Sequence, residues 1–209
     1  MLYWSIIDFS SLFDEDTSLL RKKLKRHFND EKSLRRKESV AARALLCFML
    51  KNCFGLTDFT ADCDENGKPY IEKSNLHFNL SHSGNYALCV CGDEKVGCDL
   101  EKIKACNLKV AQRFFCEKEF IALRKNEASP YAFTKMWTLK ESALKFSGNG
   151  ISGGLDSYDF SEYYEEDEFV MNNLHFFSFD KDGYSVSICS DGNKISQLEV
   201  SADDIVTDS

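Results

Sequence analysis

This chain of 209 residues contains no run approaching the roughly 20 apolar residues that span a bilayer, so no membrane-spanning helix is expected. Its nine cysteines include no C-x-x-C pair. Their count is odd and their positions are scattered, which predicts reduced structural thiols rather than a disulfide framework or a cysteine-ligated zinc. The opening residues Met1–Asp8 lack the basic flank and small-residue cleavage site of a secretory signal; they read as a first strand of a cytoplasmic protein. Excess positive charge is also lacking. Lys and Arg number 26 against 34 Asp and Glu, a net −8, which weighs against coating nucleic acid or binding anionic membranes. No linker rich in proline, glycine or serine divides the chain, and no repeat is visible residue by residue. What is present, 43% apolar and 29% charged residues, is ordinary globular composition. The length allows one large domain or two modest ones with a substantial core.

Charge is unevenly placed. Residues 21–51 carry 11 basic and 3 acidic side chains, a local +8, whereas residues 156–209 carry 2 and 14, a local −12. The basic block reads as amphipathic helix, with Leu34, Val40, Ala41, Ala44, Leu45, Phe48 and Met49 as its apolar stripe. Either a solvated helix face or a surface for polyanions and acidic partners accounts for it. Turn residues around Asp64–Gly67 lead into strand-like runs at 76–80, 86–91 and 95–100. Helical patterns follow at 108–115 and 117–125. The clearest helix starts at Ser129 as N-cap and Pro130 as first residue, and runs to Phe146 before Ser147-Gly148 stops it. Strand patterns return at 174–179, 184–189 and 197–200, with Asp182-Gly183 as a hairpin turn. Without strict strand–helix alternation the expected class is α+β. Each half, 1–103 and 104–209, carries a helix followed by antiparallel-type strands.

Three motifs can carry chemistry. In Val96-Gly-Cys-Asp-Leu-Glu101, an extended segment puts Asp99 and Glu101 on one face, and Gly97 leaves room for close approach. Paired carboxylates repel unless a cation lies between them or one is protonated, and hard oxygen donors without His or Cys suit Mg²⁺. Exposed acids at a strand end are the plain alternative. In Trp137-Thr-Leu-Lys-Glu-Ser-Ala-Leu-Lys145, Glu141 and Lys145 stand one turn apart on one helix face. A surface pair worth about 0.3–0.5 kcal/mol would explain them alone, though not the apolar stripe they flank. In Phe78-Asn-Leu-Ser-His-Ser-Gly84, Ser81 and His82 offer hydroxyl, imidazole and backbone donors to an anion at a strand end, although such a histidine is commonly structural. A serine hydrolase reading fails because adjacent strand residues face opposite ways.

Together with Gly67-Lys-Pro-Tyr70 and the continuation Lys145-Phe-Ser-Gly-Asn-Gly-Ile151, these motifs, in this order, resemble the 4′-phosphopantetheinyl transferases of the larger, surfactin-synthetase-activating type. The resemblance covers about residues 67–160 and extends loosely to Arg35, Arg36 and Arg113–Phe115. It implies two similar α+β halves in a pseudo-twofold arrangement within a monomer. It also implies transfer of the phosphopantetheine arm of coenzyme A to a serine of an apo acyl or peptidyl carrier protein, releasing 3′,5′-ADP. By motif position, the resemblance implies that Asp99, Glu101 and Glu141 are the Mg²⁺ carboxylates. Glu141 could also help a water or the carrier serine lose its proton, and Lys145 faces the pyrophosphate. Lys68, Ser81, His82 and Arg36, with Arg35 fitting nearly as well, are the implied contacts to coenzyme A. Cys98 and Ser142 depart from the usual residues without removing a needed charge. Two rival readings are a Mg²⁺-dependent phosphodiester hydrolase or nuclease using the same acids, and a catalytically silent scaffold that binds carriers.

Overall fold

In the computed structural model, residues 1–13, 17–29, 33–148 and 154–207 are described. In chain order the elements begin with β1 (Leu2–Asp8), α1 (Ser18–Leu24), α2 (Lys37–Phe54), β2 (Ala61–Cys63) and β3 (Pro69–Ile71). They continue with β4 (His77–Ser83), β5 (Tyr86–Gly92), β6 (Val96–Lys102), α3 (Leu108–Phe114), α4 (Glu117–Lys125) and α5 (Pro130–Ser147). The chain closes with β7 (Glu168–Met171), β8 (Leu174–Lys181), β9 (Tyr184–Ser190), β10 (Ile195–Gln197) and α6 (Ala202–Thr207). The class is α+β. Two compact units form: Met1–Val96 with Gly192–Ser209, and Gly97–Asp191. Residues 192–209, grouped from the sequence with the C-terminal half, fall in the first unit because β10 pairs parallel with β1. Among the described residues no helix is long and apolar enough to cross a membrane.

In the first unit a sheet of order β10-β1-β5-β4 lies under α2. Strand β5 is paired on both sides, antiparallel to β1 and β4, and its residues from Ala87 to Gly92 are all buried. That double burial explains its continuous apolar run. Val40, Leu45, Met49 and Leu50 of α2 meet Ile7, Ala87, Cys89 and Cys91 in the core. The helix ends where Gly55 takes φ 66°, a left-handed value that favours glycine. The basic block is therefore not one helix. Arg21, Lys22 and Lys23 lie on α1, Leu34 lies in a short 3-10 turn, and α2 holds most of the apolar stripe.

In the second unit the sheet order is β6-β9-β8-β7, with α5 packed on β9. The β8–β9 hairpin turns at Asp182 (φ 50°) and Gly183 (φ 80°), as their residue types predict. Strand β7, not anticipated from the acidic stretch before it, completes the sheet edge. Helix α5 starts with the Ser129 hydroxyl accepting from Ala132 N–H and Pro130 in the first turn, and stops at Gly148 (φ 79°). The Asn149-Gly150-Ile151 end of the run that continues from Lys145 lies outside the described residues. Where α5 crosses β9 the contact is polar: Thr138 Oγ1 lies 2.8 Å from Ser187 Oγ, which is 3.0 Å from Ser178 Oγ. All three hydroxyls are buried, and their mutual hydrogen bonds offset the cost of leaving water. The nine cysteines are free thiols.

Candidate active site

Gly97 determines how closely β6 and α5 approach. A Cβ at this position would overlap the backbone of Ser142, Lys145 and Phe146, so only glycine lets the strand lie directly against the helix. Two residues further along β6, Asp99 points to the same side as Gly97. Its Oδ1 accepts a hydrogen bond from Lys145 Nζ at 2.7 Å. The Asp99 side chain is 7% exposed and that of Lys145 30%, so the pair is shielded from water and screening is weak. Burial, the largest single influence, lowers the pKa of the Lys145 ammonium; the charge and hydrogen bond of Asp99, with Cys98 and Glu141, together outweigh it and raise the pKa above the ordinary value.

Glu141, one turn before Lys145, is half-buried. Burial pushes its pKa up, the negative charge of Asp99 pushes it further, and Glu101 adds to this, while Lys145 opposes. Three acids and one ammonium therefore share one electrostatic environment on β6 and α5. Glu101, at the outer end, also pairs with Lys104 at 3.7 Å.

Three carboxylates, one of them already made reluctant to ionise by burial and then by the other two, form an oxygen-only group that a hard cation such as Mg²⁺ would relieve. Their ligand atoms do not all lie within 4.8 Å of one another. Among the described residues, the one group of three whose ligand atoms all lie within 4.8 Å of one another is Cys116, Glu119 and Asp159. That group is already neutralised: Glu119 pairs with Lys140 at 2.7 Å and Asp159 with Lys118 at 3.4 Å. Burial also raises the pKa of the Cys116 thiol and keeps it protonated. It is a structural cluster.

Sequence reasoning missed the Lys140–Glu119 pair. Both side chains are fully buried. Lys140 Nζ also donates to the carbonyls of Leu155 and Tyr158, each at 2.6 Å, and Glu119 accepts from the N–H groups of Cys116 and Phe160. The network ties α4, α5 and the segment at 155–160 together one residue before Glu141. The one signal in the sequence was Glu119 three residues after Cys116, a capping-box spacing with cysteine in place of serine or threonine.

The remaining predicted residues lie in the first unit. Exposed Arg36 holds the Glu38 carboxylate at 2.8 Å, and His82 of β4 is close enough for its charge to help lower the Glu38 pKa, behind the hydrogen bonds that dominate. Arg36 and His82 thus gather around one acid. Ser81 is buried on the opposite face of β4. Lys68 is half-buried after a turn closed by Gly67 (φ 83°), and its Nζ donates to the Val96 carbonyl at 3.2 Å.

Residues 95–197, the stretch that carries the β6–α5 acids, match the 4′-phosphopantetheinyl transferase superfamily. This segment, just under half of the chain, is similar to that superfamily. The chain is 39% identical over 106 residues to 4′-phosphopantetheinyl transferase Sfp of Bacillus subtilis (strain 168), covering 49% of this chain and 47% of that protein. It is 39% identical over 100 residues to 4′-phosphopantetheinyl transferase psf-1 of Bacillus pumilus, covering 46% and 43%. To 4′-phosphopantetheinyl transferase HetI of Nostoc sp. it is 34% identical over 128 residues, covering 56% and 54%. In these matches the chain spans about half the length of its curated relatives. Within the superfamily segment lie Asp99, Glu101, Glu141 and Lys145, whereas Arg36, Lys68, Ser81 and His82 precede it.

Proposed function

We propose that this protein is a 4′-phosphopantetheinyl transferase that moves the phosphopantetheine arm of coenzyme A onto a serine hydroxyl of an apo acyl or peptidyl carrier protein. The observation that carries this reading is the buried Asp99–Lys145 pair with Glu141 beside it, inside the stretch that matches the superfamily. In the reaction the serine Oγ forms a bond to the phosphorus bearing pantetheine. The bond from that phosphorus to the bridging oxygen breaks, and 3′,5′-ADP leaves. Asp99, Glu101 and Glu141 would hold Mg²⁺, whose charge offsets that of the pyrophosphate and the leaving group. Lys145 adds a cation where water is partly excluded. Glu141, with its raised proton affinity, is the proposed acceptor of the serine proton, directly or through a water. Arg36, Lys68, Ser81 and His82 are assigned to coenzyme A, with Arg36 and His82 releasing Glu38 to do so. The free thiols suit a reducing compartment, so we place the protein in the cytoplasm, acting as a monomer.

Incubation with coenzyme A, Mg²⁺ and a panel of apo carriers should add the phosphopantetheine mass to a carrier serine. Asp99→Ala should reduce loading by at least about 100-fold, the scale of losing one electrostatic group in the transition state. Chelation should abolish loading, and Mg²⁺ should restore it. Cleavage of a phosphodiester without mass gain, carrier binding without loading, or near-full turnover by Asp99→Ala would overturn the assignment.

A further inference from the structure

A cavity of about 270 Å³ opens in the first unit between α1, α2, the segment at 56–59 and α6. Most of its wall is apolar, including Leu20, Leu24, Phe48, Phe59 and Ile205. The wall is firmly built. The His27 ring stacks on Phe59 at 4.4 Å, and its Nδ1 lies 2.9 Å from the Phe59 carbonyl. A carbonyl only accepts, so Nδ1 carries the proton and the ring is fixed in orientation. Ile205, 2% exposed, holds α6 against the opposite side.

Two ammonium groups interrupt this apolar lining. Lys51 comes from the last turn of α2 and Lys23 from the last turn of α1. Lys23 is half-buried while its neighbours Lys22 and Lys25 are exposed, and it meets no carboxylate among the described residues. A partly desolvated cation at an apolar wall is stabilised by an anion that also fills the space beside it. The local excess of basic residues on α1 favours the same sign of ligand.

We infer that this cavity is a binding site for a small amphiphilic carboxylate, whose apolar body fills the pocket and whose carboxylate pairs with Lys23 and Lys51. At the roughly 30 Å³ of a water-sized group, the space holds about nine such groups, the body of a medium-chain fatty acid. The site is independent of the acids on β6 and α5 and needs no carrier or coenzyme A.

The test titrates ¹⁵N-labelled full-length protein with decanoate, held below its aggregation concentration, and follows amide shifts. One saturable site is expected, with shifts confined to α1, His27, α2, residues 56–59 and α6. Hexanoate, four methylenes shorter, should bind at least about tenfold more weakly, since each buried methylene is worth up to about fourfold. Lys23→Gln should weaken decanoate about tenfold, the scale of a charged hydrogen bond, and leave decanol unchanged. Ala44→Leu, which fills the cavity from α2, should abolish binding; Thr57→Trp, which plugs the exposed rim, does the same where Ala44→Leu fails to fold. Absence of saturation, shifts spread over the whole chain, decanol binding as tightly as decanoate, or undiminished binding to both plugged variants would overturn the site.

Discussion

At the scale of single residues, Gly97 and Asp99 show how a small side chain and a charged one depend on each other. Asp99 can reach Lys145 because nothing projects from Gly97 into α5. Gly97→Ala should therefore push strand and helix apart, costing about 1–3 kcal/mol of stability by overpacking. Carrier loading should fall further than stability does, because the acids move with the backbone; chemical denaturation and the loading assay together check this. Cysteine burial gives a second outcome at this scale. Burial pushes the Cys47 thiol up to about 12 and the Cys53 thiol up to about 11. Above the ordinary thiol value of 9.0 the unfolded chain loses these protons while the folded chain keeps them, so the folded state binds more protons and stability falls as pH rises. The benefit is complete below that value and is lost over the window up to about 12. Melting temperature should drop more steeply between pH 9 and 11 in the native chain than in Cys47→Ala.

At the scale of elements, α5 is held by two different polar devices, the Thr138–Ser187 hydroxyl contact on β9 and the buried Lys140–Glu119 pair. Lys140→Met would strand the Glu119 carboxylate among apolar side chains, and a loss of about 3–5 kcal/mol is expected in urea unfolding. Lys140→Met combined with Glu119→Leu should recover a large part of that loss, since the unpaired charge is then gone. Much of this helix was legible beforehand. Ser129, Pro130 and Gly148 act locally, through a cap, a preset φ and a left-handed terminus, and local chemistry can be read from a line of residues. Asp99 and Glu101 were legible as a pair for the same reason, being two apart on a strand. The partnership of Glu119 with Lys140 was not, because it joins positions 21 apart through a fold that periodicity does not specify. Strands β2, β3 and β7 were missed as well. They are three or four residues long, and pairing rather than sequence pattern defines them. The basic block misled through its charge, which suggested one helix where turns and two helices stand.

At the scale of the whole molecule, the C-terminal segment was the least legible feature. Three residues of β10 add to the edge of β1, in parallel, almost 190 residues after it: Leu2 pairs with Ile195 and Trp4 with Gln197. Leu198, Val200 and Ala202 then pack against the first unit's core, and Ile205 is buried in it. No local pattern announces a pairing so distant in sequence. Cutting the chain after Gln197 should destabilise the first unit by about 2–5 kcal/mol, the scale of deleting one large buried aliphatic side chain. Thermal unfolding of the truncated chain checks this.

The same return has a consequence for how the chain could be rewired. Glycine at 192 sits so close to the Glu94 carboxylate that a methyl group there would collide with it. The polypeptide therefore departs the first unit and rejoins it through adjoining doorways, with residues 97–191 threaded as a single excursion between them. Bridging those doorways with a few glycines should give a short protein that still folds around β1, β5 and α2, with the superfamily acids spliced out. Loss of cooperative melting in that splice would show that the excursion is part of the scaffold as well as the segment that carries Asp99, Glu101 and Glu141.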